Sequence, residues 1–131
     1  MRVLLDTHIA LWAIADDPRL PDLARSIIED PDNTIVVSAA TIWEISIKNA
    51  LSRGGPNDIT ISGAEATAFF QEAGFELLAI SPAHAAAVRD LPPLHADPFD
   101  RMLLAQALAE PLRLMTRDAR IIAYGGVVLP V

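Results

Sequence analysis

The chain has 131 residues, 52% of them hydrophobic, a formal net charge of −7 and no cysteine. This length suits one domain spanning residues 1–131, and the lack of cysteine excludes disulfides, zinc–thiolate sites and cysteine nucleophiles. The acidic balance has the wrong sign for a protein that binds nucleic acid through a broadly basic surface. The apolar runs are too short to cross a bilayer, so we expect a soluble, cytoplasmic protein without a signal sequence and with no membrane partner.

Short apolar runs alternate with helical segments along the chain. In chain order, the predicted elements are a strand at Val3–Leu5, helices at Ile9–Ala15 and Pro21–Glu29, a strand at Ile35–Val37, helices at Ala40–Leu51 and Ser62–Ala73, a strand at Phe75–Ile80, helices at Pro82–Arg89 and Asp97–Glu110, a strand at Leu112–Met115, a helix at Ala119–Tyr124 and a strand at Val127–Leu129. Nearly continuous apolar strands are typical of a parallel sheet covered by helices on both faces. The sequence therefore predicts an α/β sandwich.

Four acidic residues are placed where they can meet at one edge of this sheet. Ligands of open α/β sheets bind at the carboxyl ends of the strands. Asp6 follows the first strand directly, and Asp118 follows the fourth strand closely. Asp100 begins the helix that leads into the fourth strand, and Glu44 lies in a helix whose neighbouring residues are apolar. These carboxylates can converge although they are distant in the sequence.

Converging carboxylates raise one another's pKa unless a cation neutralises them. Oxygen ligands without cysteine suit a hard ion, Mg²⁺ or Mn²⁺, which retains several water molecules. Such an ion can bind phosphate oxygens and lower the pKa of a water nucleophile. The reaction class that we predict is metal-assisted hydrolysis.

The sequence resembles the PIN-domain ribonucleases, and specifically the VapC toxins of type II toxin–antitoxin systems. Four motifs in the same order carry the resemblance over nearly the whole chain: Leu4-Leu5-Asp6-Thr7, Ser38-Ala39-Ala40-Thr41-Ile42-Trp43-Glu44-Ile45, His95-Ala96-Asp97-Pro98-Phe99-Asp100-Arg101 and Thr116-Arg117-Asp118. The resemblance implies a PIN-like three-layer α/β/α sandwich with a central, mainly parallel sheet of about five short strands. It also implies a Mg²⁺-dependent endoribonuclease that hydrolyses RNA phosphodiesters with a metal-activated water.

The same resemblance implies partners. It implies a cognate VapB-type antitoxin, a homodimer, and a heterotetramer or larger assembly with the antitoxin. Operator DNA would be bound only through the antitoxin.

The resemblance also assigns site residues. The family's metal-binding catalytic acids correspond to Asp6, Glu44, Asp100 and Asp118, and family members often carry a hydroxyl where this chain has Thr7 and Thr116. Asp100-Arg101-Met102-Leu103-Leu104-Ala105 fits the family pattern in which an aspartate begins the helix before the fourth strand.

Each acid also has a structural interpretation. Asp6 and Asp118 can cap the helices that follow them, and Glu44 can pair with Lys48 four residues later, an orientation that favours helix. With Pro98 at the first helical position, Asp97 lies at the N-cap and Asp100 at N3, as in a variant capping box. We interpret Asp97 as the helix cap, with direct ligation of the metal or a supporting role beside it as the alternatives, and Asp100 as a metal ligand.

Other candidates retain two interpretations. Arg101 and Arg117 can bind RNA phosphates or compensate the acidic cluster. His8 and His95 can assist proton transfer, although a histidine hydrogen-bonded to the backbone is the simpler interpretation. The aromatic residues at helical spacing indicate core or subunit interface rather than base stacking: Trp12, Trp43, Phe69 and Phe70.

Two other functions compete with the ribonuclease. One is a catalytically silent PIN-like module that only binds a partner, which the presence of all four acids disfavours. The other is a receiver-like or phosphatase-like protein with Asp6 as a covalent phospho-acceptor. A receiver needs a lysine at a late strand end, whereas the one lysine here, Lys48, lies early and within a helix.

Overall fold

The structure, a computed structural model that describes residues 1–131, contains five strands and seven α-helices. The strands are β1 (Arg2–Leu5), β2 (Thr34–Ser38), β3 (Glu76–Leu78), β4 (Arg113–Thr116) and β5 (Val128–Pro130). The helices are α1 (Thr7–Ile14), α2 (Asp22–Glu29), α3 (Ala39–Ala50), α4 (Gly63–Glu72), α5 (Pro82–Ala87), α6 (Pro98–Ala109) and α7 (Ala119–Ile122). None of these helices has both the length and the apolar character that a bilayer-spanning helix needs.

All five strands are parallel and lie in the order β3-β2-β1-β4-β5. From β1 the chain builds outward through β2 and β3, then returns to pair β4 with the other side of β1. The strand order therefore reverses beside β1, and the carboxyl ends of β1 and β4 flank the crevice where such sheets bind ligands. The predicted sandwich with a mainly parallel sheet of about five short strands is confirmed.

Strand β1 is buried on both faces and joins two hydrophobic cores. Val3 and Leu5 belong to the core that includes Phe70 of α4, whereas Leu4 belongs to the core that includes Leu103 of α6. Complete burial of one such side chain contributes about 1.5–3 kcal/mol to folding. The continuous apolar run therefore fixes the central position of β1, and with it the position of the acid that follows.

The predicted element types are all observed, but several boundaries differ. Helix α1 begins at Thr7, two residues before the predicted start, because the Asp6 carboxylate caps it by accepting from the Ile9 N–H. Strand β3 is shorter than predicted, since only three of its residues pair with β2 and no strand covers its other edge. The helix predicted through Arg89 ends as α5 at Ala87 and continues as a 3₁₀ turn at Val88–Asp90.

Candidate active site

The crevice at the carboxyl ends of β1 and β4 contains two of the predicted acids. Leu5 pairs with Met115, and the Asp6 N–H continues this ladder by donating to the Met115 carbonyl at 3.1 Å. Asp6 therefore lies beside Thr116, the last residue of β4, and Asp118 follows two residues later. The sheet register, rather than any local motif, brings these two aspartates to one place.

Asp6 is a buried carboxylate whose partners are neutral. Its side chain is hydrogen-bonded by the Ile9 N–H at 2.9 Å and by the Thr116 hydroxyl, and the residue is only 5% exposed. Burial raises the pKa of Asp6, and these two hydrogen bonds oppose that shift only in part. Since none of the chain's ion pairs includes Asp6, a cation beside it would remove the cost of a buried, unpaired charge.

Threonine hydroxyls connect the acids to one another. The Thr116 hydroxyl donates to Asp6 and accepts from the Asp118 N–H at 3.0 Å. The Thr7 hydroxyl donates to Glu44 Oε1 at 2.7 Å and lies 3.3 Å from the Thr41 hydroxyl. Thr7 and Thr116 thus contact two of the predicted acids directly. Sequence reasoning did not single out Thr41, which lies one helical turn before Glu44 on α3.

Glu44 lies on the inner face of α3 and is 4% exposed. Its Oε2 accepts from the Lys48 ammonium at 2.6 Å, so the i,i+4 ion pair considered as an alternative is formed. An exposed pair of this kind contributes only tenths of a kcal/mol. Here, however, the carboxylate is buried and the ammonium is half-exposed, so Lys48 partly neutralises Glu44 from the solvent side.

The two aspartates of the His95–Leu108 segment have different partners. Asp97 caps α6, because its Oδ1 accepts from the Phe99 N–H at 2.9 Å and the Asp100 N–H at 3.1 Å. The Asp100 carboxylate does not complete a capping box, since its Oδ2 accepts from His95 Nε2 at 2.7 Å. Asp97 therefore sets the start of the helix, and Asp100 lies near enough to Glu44 for the two charges to interact.

We expect Asp97→Ala to lower the free energy of unfolding by about 1 kcal/mol, the usual effect of losing an N-cap. Asp97→Ser should keep most of that energy, because a serine hydroxyl also accepts from the first-turn N–H groups. Urea unfolding of both variants beside the parent protein measures this. Equal stability of Asp97→Ala and the parent would show that the cap has no energetic role.

Asp100 is an acid held mostly out of water. Burial raises its pKa to about 6, the charges of Asp97 and Glu44 add to the rise, and the hydrogen bond from His95 opposes it. One ligand-capable atom from each of His95, Asp97 and Asp100 lies within 4.8 Å of the others, whereas no three of the four predicted acids meet that criterion. The sequence analysis favoured a backbone hydrogen bond for His95, whereas the structure places its ring beside Asp97 and Asp100.

Asp118 has a positively charged neighbour. It caps α7 through the Arg120 N–H at 2.8 Å, and the Arg120 guanidinium lies 3.3 Å from its Oδ2. Burial would raise the pKa of Asp118, but the hydrogen bonds and charge of Arg120 outweigh burial and leave the pKa below its ordinary value. Arg120 was not predicted; its pairing with Asp118, two residues earlier, is seen only in the structure.

The other candidates lie in different surroundings. The Arg101 guanidinium donates to the backbone carbonyls of Val88, Leu91, Pro92 and His95, so it neither pairs with the acids nor faces solvent freely. Arg117 is exposed and reaches only the Arg19 carbonyl, at 3.4 Å. His8 is exposed, beside the Trp12 ring.

The aromatic residues divide between core and surface. Phe70 is buried in the core, Trp12 is half-buried, and Trp43 and Phe69 are largely exposed. Trp43 packs edge-on against Phe99, the residue before Asp100, with ring centroids 5.0 Å apart.

As a donor set, the site suits a hard divalent cation. The acids offer carboxylate oxygens, the chain has no thiol, and Asp6, which is buried, and Asp100, which is partly buried, both have raised pKa values. Mg²⁺ and Mn²⁺ prefer oxygen ligands of this kind, and a bound cation would stabilise the ionised acids. The arrangement can therefore bind a metal ion and, through it, a phosphate group.

Comparison with known proteins gives one family. A family model described as the PIN domain matches residues 3–127. The chain is 31% identical over 120 residues to ribonuclease VapC22 of Mycobacterium tuberculosis (strain ATCC 25618 / H37Rv), covering 91% of this chain and 88% of the relative.

Solved structures share the fold at lower identity. VapBC2 from Rickettsia felis, bound to a DNA fragment from its promoter, matches with a TM-score of 0.70 and 17% identity, covering 100% of this chain and 98% of the other. VapC20 of Mycobacterium tuberculosis, a sarcin–ricin loop cleaving toxin, matches with a TM-score of 0.64 and 17% identity, over 94% of this chain and 95% of the other.

Proposed function

The chain belongs to the PIN-domain family, and we propose that it is a divalent-metal-dependent endoribonuclease, the toxin of a type II toxin–antitoxin system. The observation that supports this most directly is the set of acids around the β1–β4 crevice, where Asp6 is buried without a positively charged partner. The 31% identity to a VapC ribonuclease supports RNA as the substrate.

In this proposal Asp6, Glu44, Asp100 and Asp118 hold the cation, with Mg²⁺ as the expected ion and Mn²⁺ as a substitute. When bound, the cation would neutralise the carboxylates, bind phosphate oxygens and make water a better nucleophile at neutral pH. The protein's part is to keep the acids ionised and correctly directed. Thr7 and Thr116 do this for Glu44 and Asp6, because each donates a hydrogen bond to one oxygen of its acid.

Positive charge near the acids suits a phosphate backbone. Arg120 is exposed and lies beside Asp118, and Arg117 is exposed one residue before that acid. We assign both guanidinium groups to phosphates of the bound RNA, because planar guanidinium forks bind phosphate oxygens well. Arg101 is not assigned this role, since backbone carbonyls occupy its guanidinium.

We also propose a VapB-type antitoxin as partner, in a heterotetramer or larger assembly, with operator DNA bound through the antitoxin. The net charge of −7 supports this division, because binding of duplex DNA through a broadly basic surface needs the opposite charge balance. We propose a homodimer as well, supported by an exposed apolar stripe on α3. Its residues lie one helical turn apart, Trp43 and Ile47 on the helix and Leu51 at its C-cap.

The test is a cleavage assay on total RNA with EDTA-stripped protein. We expect no cleavage until Mg²⁺ or Mn²⁺ is added, because the buried acids bind substrate phosphate only when neutralised. Cleavage that persists in excess EDTA would contradict metal dependence. Absence of cleavage with either ion, in protein that binds both, would favour the silent partner-binding module.

The matched control for site variants is Asp32→Asn. Asp32 is an exposed aspartate in the turn before β2, at the amino ends of the strands, whereas Asp6 and Asp118 follow their carboxyl ends. The substitution removes one carboxylate outside the crevice, so cleavage by this variant should equal that of the parent.

A further inference from the structure

We propose that His95 is a positioning residue for the reaction proposed above, on which this inference rests. It orients the Asp100 carboxylate through one hydrogen bond, and a clamp formed by Arg101 and Tyr124 holds the segment that carries it. None of these three side chains needs to touch substrate for the effect.

The contact itself is short and sheltered. His95 Nε2 lies 2.7 Å from Asp100 Oδ2, and His95 is buried. An ionised carboxylate only accepts hydrogen bonds, so Nε2 carries the proton and donates it. This bond occupies Oδ2 and leaves Oδ1 for a cation, in the manner of the hydrogen-bonded carboxylates that surround metal sites.

The segment before His95 has few backbone hydrogen bonds of its own: the Leu91 N–H donates to the Val88 carbonyl and the Leu94 N–H to the Pro92 carbonyl. Residues 91–94 read Leu-Pro-Pro-Leu, and the two prolines offer no N–H groups for backbone hydrogen bonds. Arg101 supplies the missing donors: its Nη1 reaches the Pro92 carbonyl at 3.1 Å and the His95 carbonyl at 3.3 Å. Its Nη2 reaches the Val88 carbonyl at 2.9 Å.

Tyr124 completes the clamp from the loop after α7. Its hydroxyl donates to the Pro92 carbonyl at 2.8 Å and accepts from the His95 N–H at 3.1 Å and from Arg101 Nη1 at 3.3 Å. One hydroxyl therefore joins the connector, the histidine backbone and the arginine. The direction of the His95 ring is set by this arrangement, because both backbone groups of His95 are held.

The test is Mn²⁺ binding measured by calorimetry in the absence of RNA. We expect His95→Ala to weaken Mn²⁺ binding about 10–100-fold, the usual effect of losing a partner that orients a ligand. His95→Gln should restore most of the affinity, because a glutamine amide can donate at nearly the position of Nε2. Tyr124→Phe, which keeps His95 but loosens its segment, should weaken binding by a smaller factor in the same direction.

A purely structural role would lower stability without changing Mn²⁺ affinity, so thermal unfolding of each variant accompanies the calorimetry. If His95→Ala does not fold, the Mn²⁺ affinity of Tyr124→Phe compared with that of the parent still tests the proposal. Parent-like Mn²⁺ affinity in every folded variant would overturn the proposal. A nitrogen coupling in the electron spin echo spectrum of bound Mn²⁺, lost in His95→Gln, would also overturn it, because His95 would then bind the ion itself.

The experiments distinguish the role of His95 in Mn²⁺ binding from the proposed ribonuclease activity. Parent protein that binds Mn²⁺ through an oriented Asp100 but cleaves no RNA supports the role of His95 and refutes the ribonuclease. Parent protein that cleaves RNA while His95→Ala binds Mn²⁺ normally refutes only the role of His95. Parent protein that binds no Mn²⁺ refutes both.

Discussion

Asp100→Asn is expected to reduce RNA cleavage by at least about 10³-fold and, in the absence of metal, to make the protein more stable. Loss of one ligand carboxylate removes several kcal/mol of metal-dependent transition-state stabilisation, and each 1.36 kcal/mol is a factor of ten in rate. Asparagine is nearly isosteric and its carbonyl oxygen can still accept from His95. The change therefore removes charge with little change of shape.

The gain in stability follows from the raised pKa of Asp100. The folded-state pKa, about 6, exceeds the ordinary value of 3.8, so the folded protein holds the proton more tightly than the unfolded chain. Ionisation therefore destabilises the fold, fully above pH 6 and not at all below pH 3.8. The shift corresponds to about 3 kcal/mol at neutral pH, which is the upper bound for the gain from Asp100→Asn.

Stability, stabilisation by Mn²⁺ and RNA cleavage test this prediction. Urea unfolding at pH 7.5 without metal should show the variant to be more stable, and the difference should shrink as the pH falls from 6 towards 4. Addition of Mn²⁺ should stabilise the parent more than the variant. Cleavage and growth arrest should be lost in Asp100→Asn and retained in Asp97→Ser and Asp32→Asn. Undiminished cleavage by Asp100→Asn would remove Asp100 from the site.

The fold could be predicted because its signals are local. Apolar runs such as Val3–Leu5 specify buried parallel strands, and Asp97-Pro98 specifies a helix start. Boundaries were less certain where a side chain extends a helix, as Asp6 does for α1, or where an edge strand has one partner, as in β3. The apolar pattern encodes neither the hydrogen bond that extends α1 nor the number of neighbours that β3 has.

The residues around the acids were predictable only in part. The pairing of Glu44 with Lys48 follows from helical spacing, which is a local property. The contact of His95 with Asp100 depends on the path of a proline-containing connector, and the use of Arg101 depends on carbonyls contributed by four other positions. Such contacts arise from tertiary packing, so a sequence pattern can indicate that a residue is important but does not predict which residue it contacts.

Divalent-ion binding is expected to weaken more than tenfold between pH 7.5 and pH 5. The reason is competition between the ion and protons for the same oxygens, since ligands must be deprotonated to bind metal. Asp100, with a pKa of about 6, is ionised at pH 7.5 and mostly protonated at pH 5. Burial raises the pKa of Asp6 as well, so protons compete for this acid more strongly than for an ordinary aspartate.

The four acids should contribute unequally to this dependence. Hydrogen bonds from Arg120 outweigh burial and hold the pKa of Asp118 below its ordinary value, so Asp118 stays ionised across the whole range. Between pH 7.5 and pH 5, protons released on Mn²⁺ binding should include the one from Asp100, whose pKa is about 6. Calorimetry in two buffers of different ionisation enthalpy measures their number at each pH.

Asp100→Asn supplies the decisive comparison. The variant should bind Mn²⁺ more weakly at pH 7.5 and lose less affinity on acidification, because the proton that competes with the ion at Asp100 is gone. The Mn²⁺ affinity of Asp32→Asn should equal that of the parent at every pH, since Asp32 lies at the amino ends of the strands, away from the acids. Mn²⁺ affinity that stays constant from pH 7.5 to pH 5 would mean that Asp100 does not bind the ion.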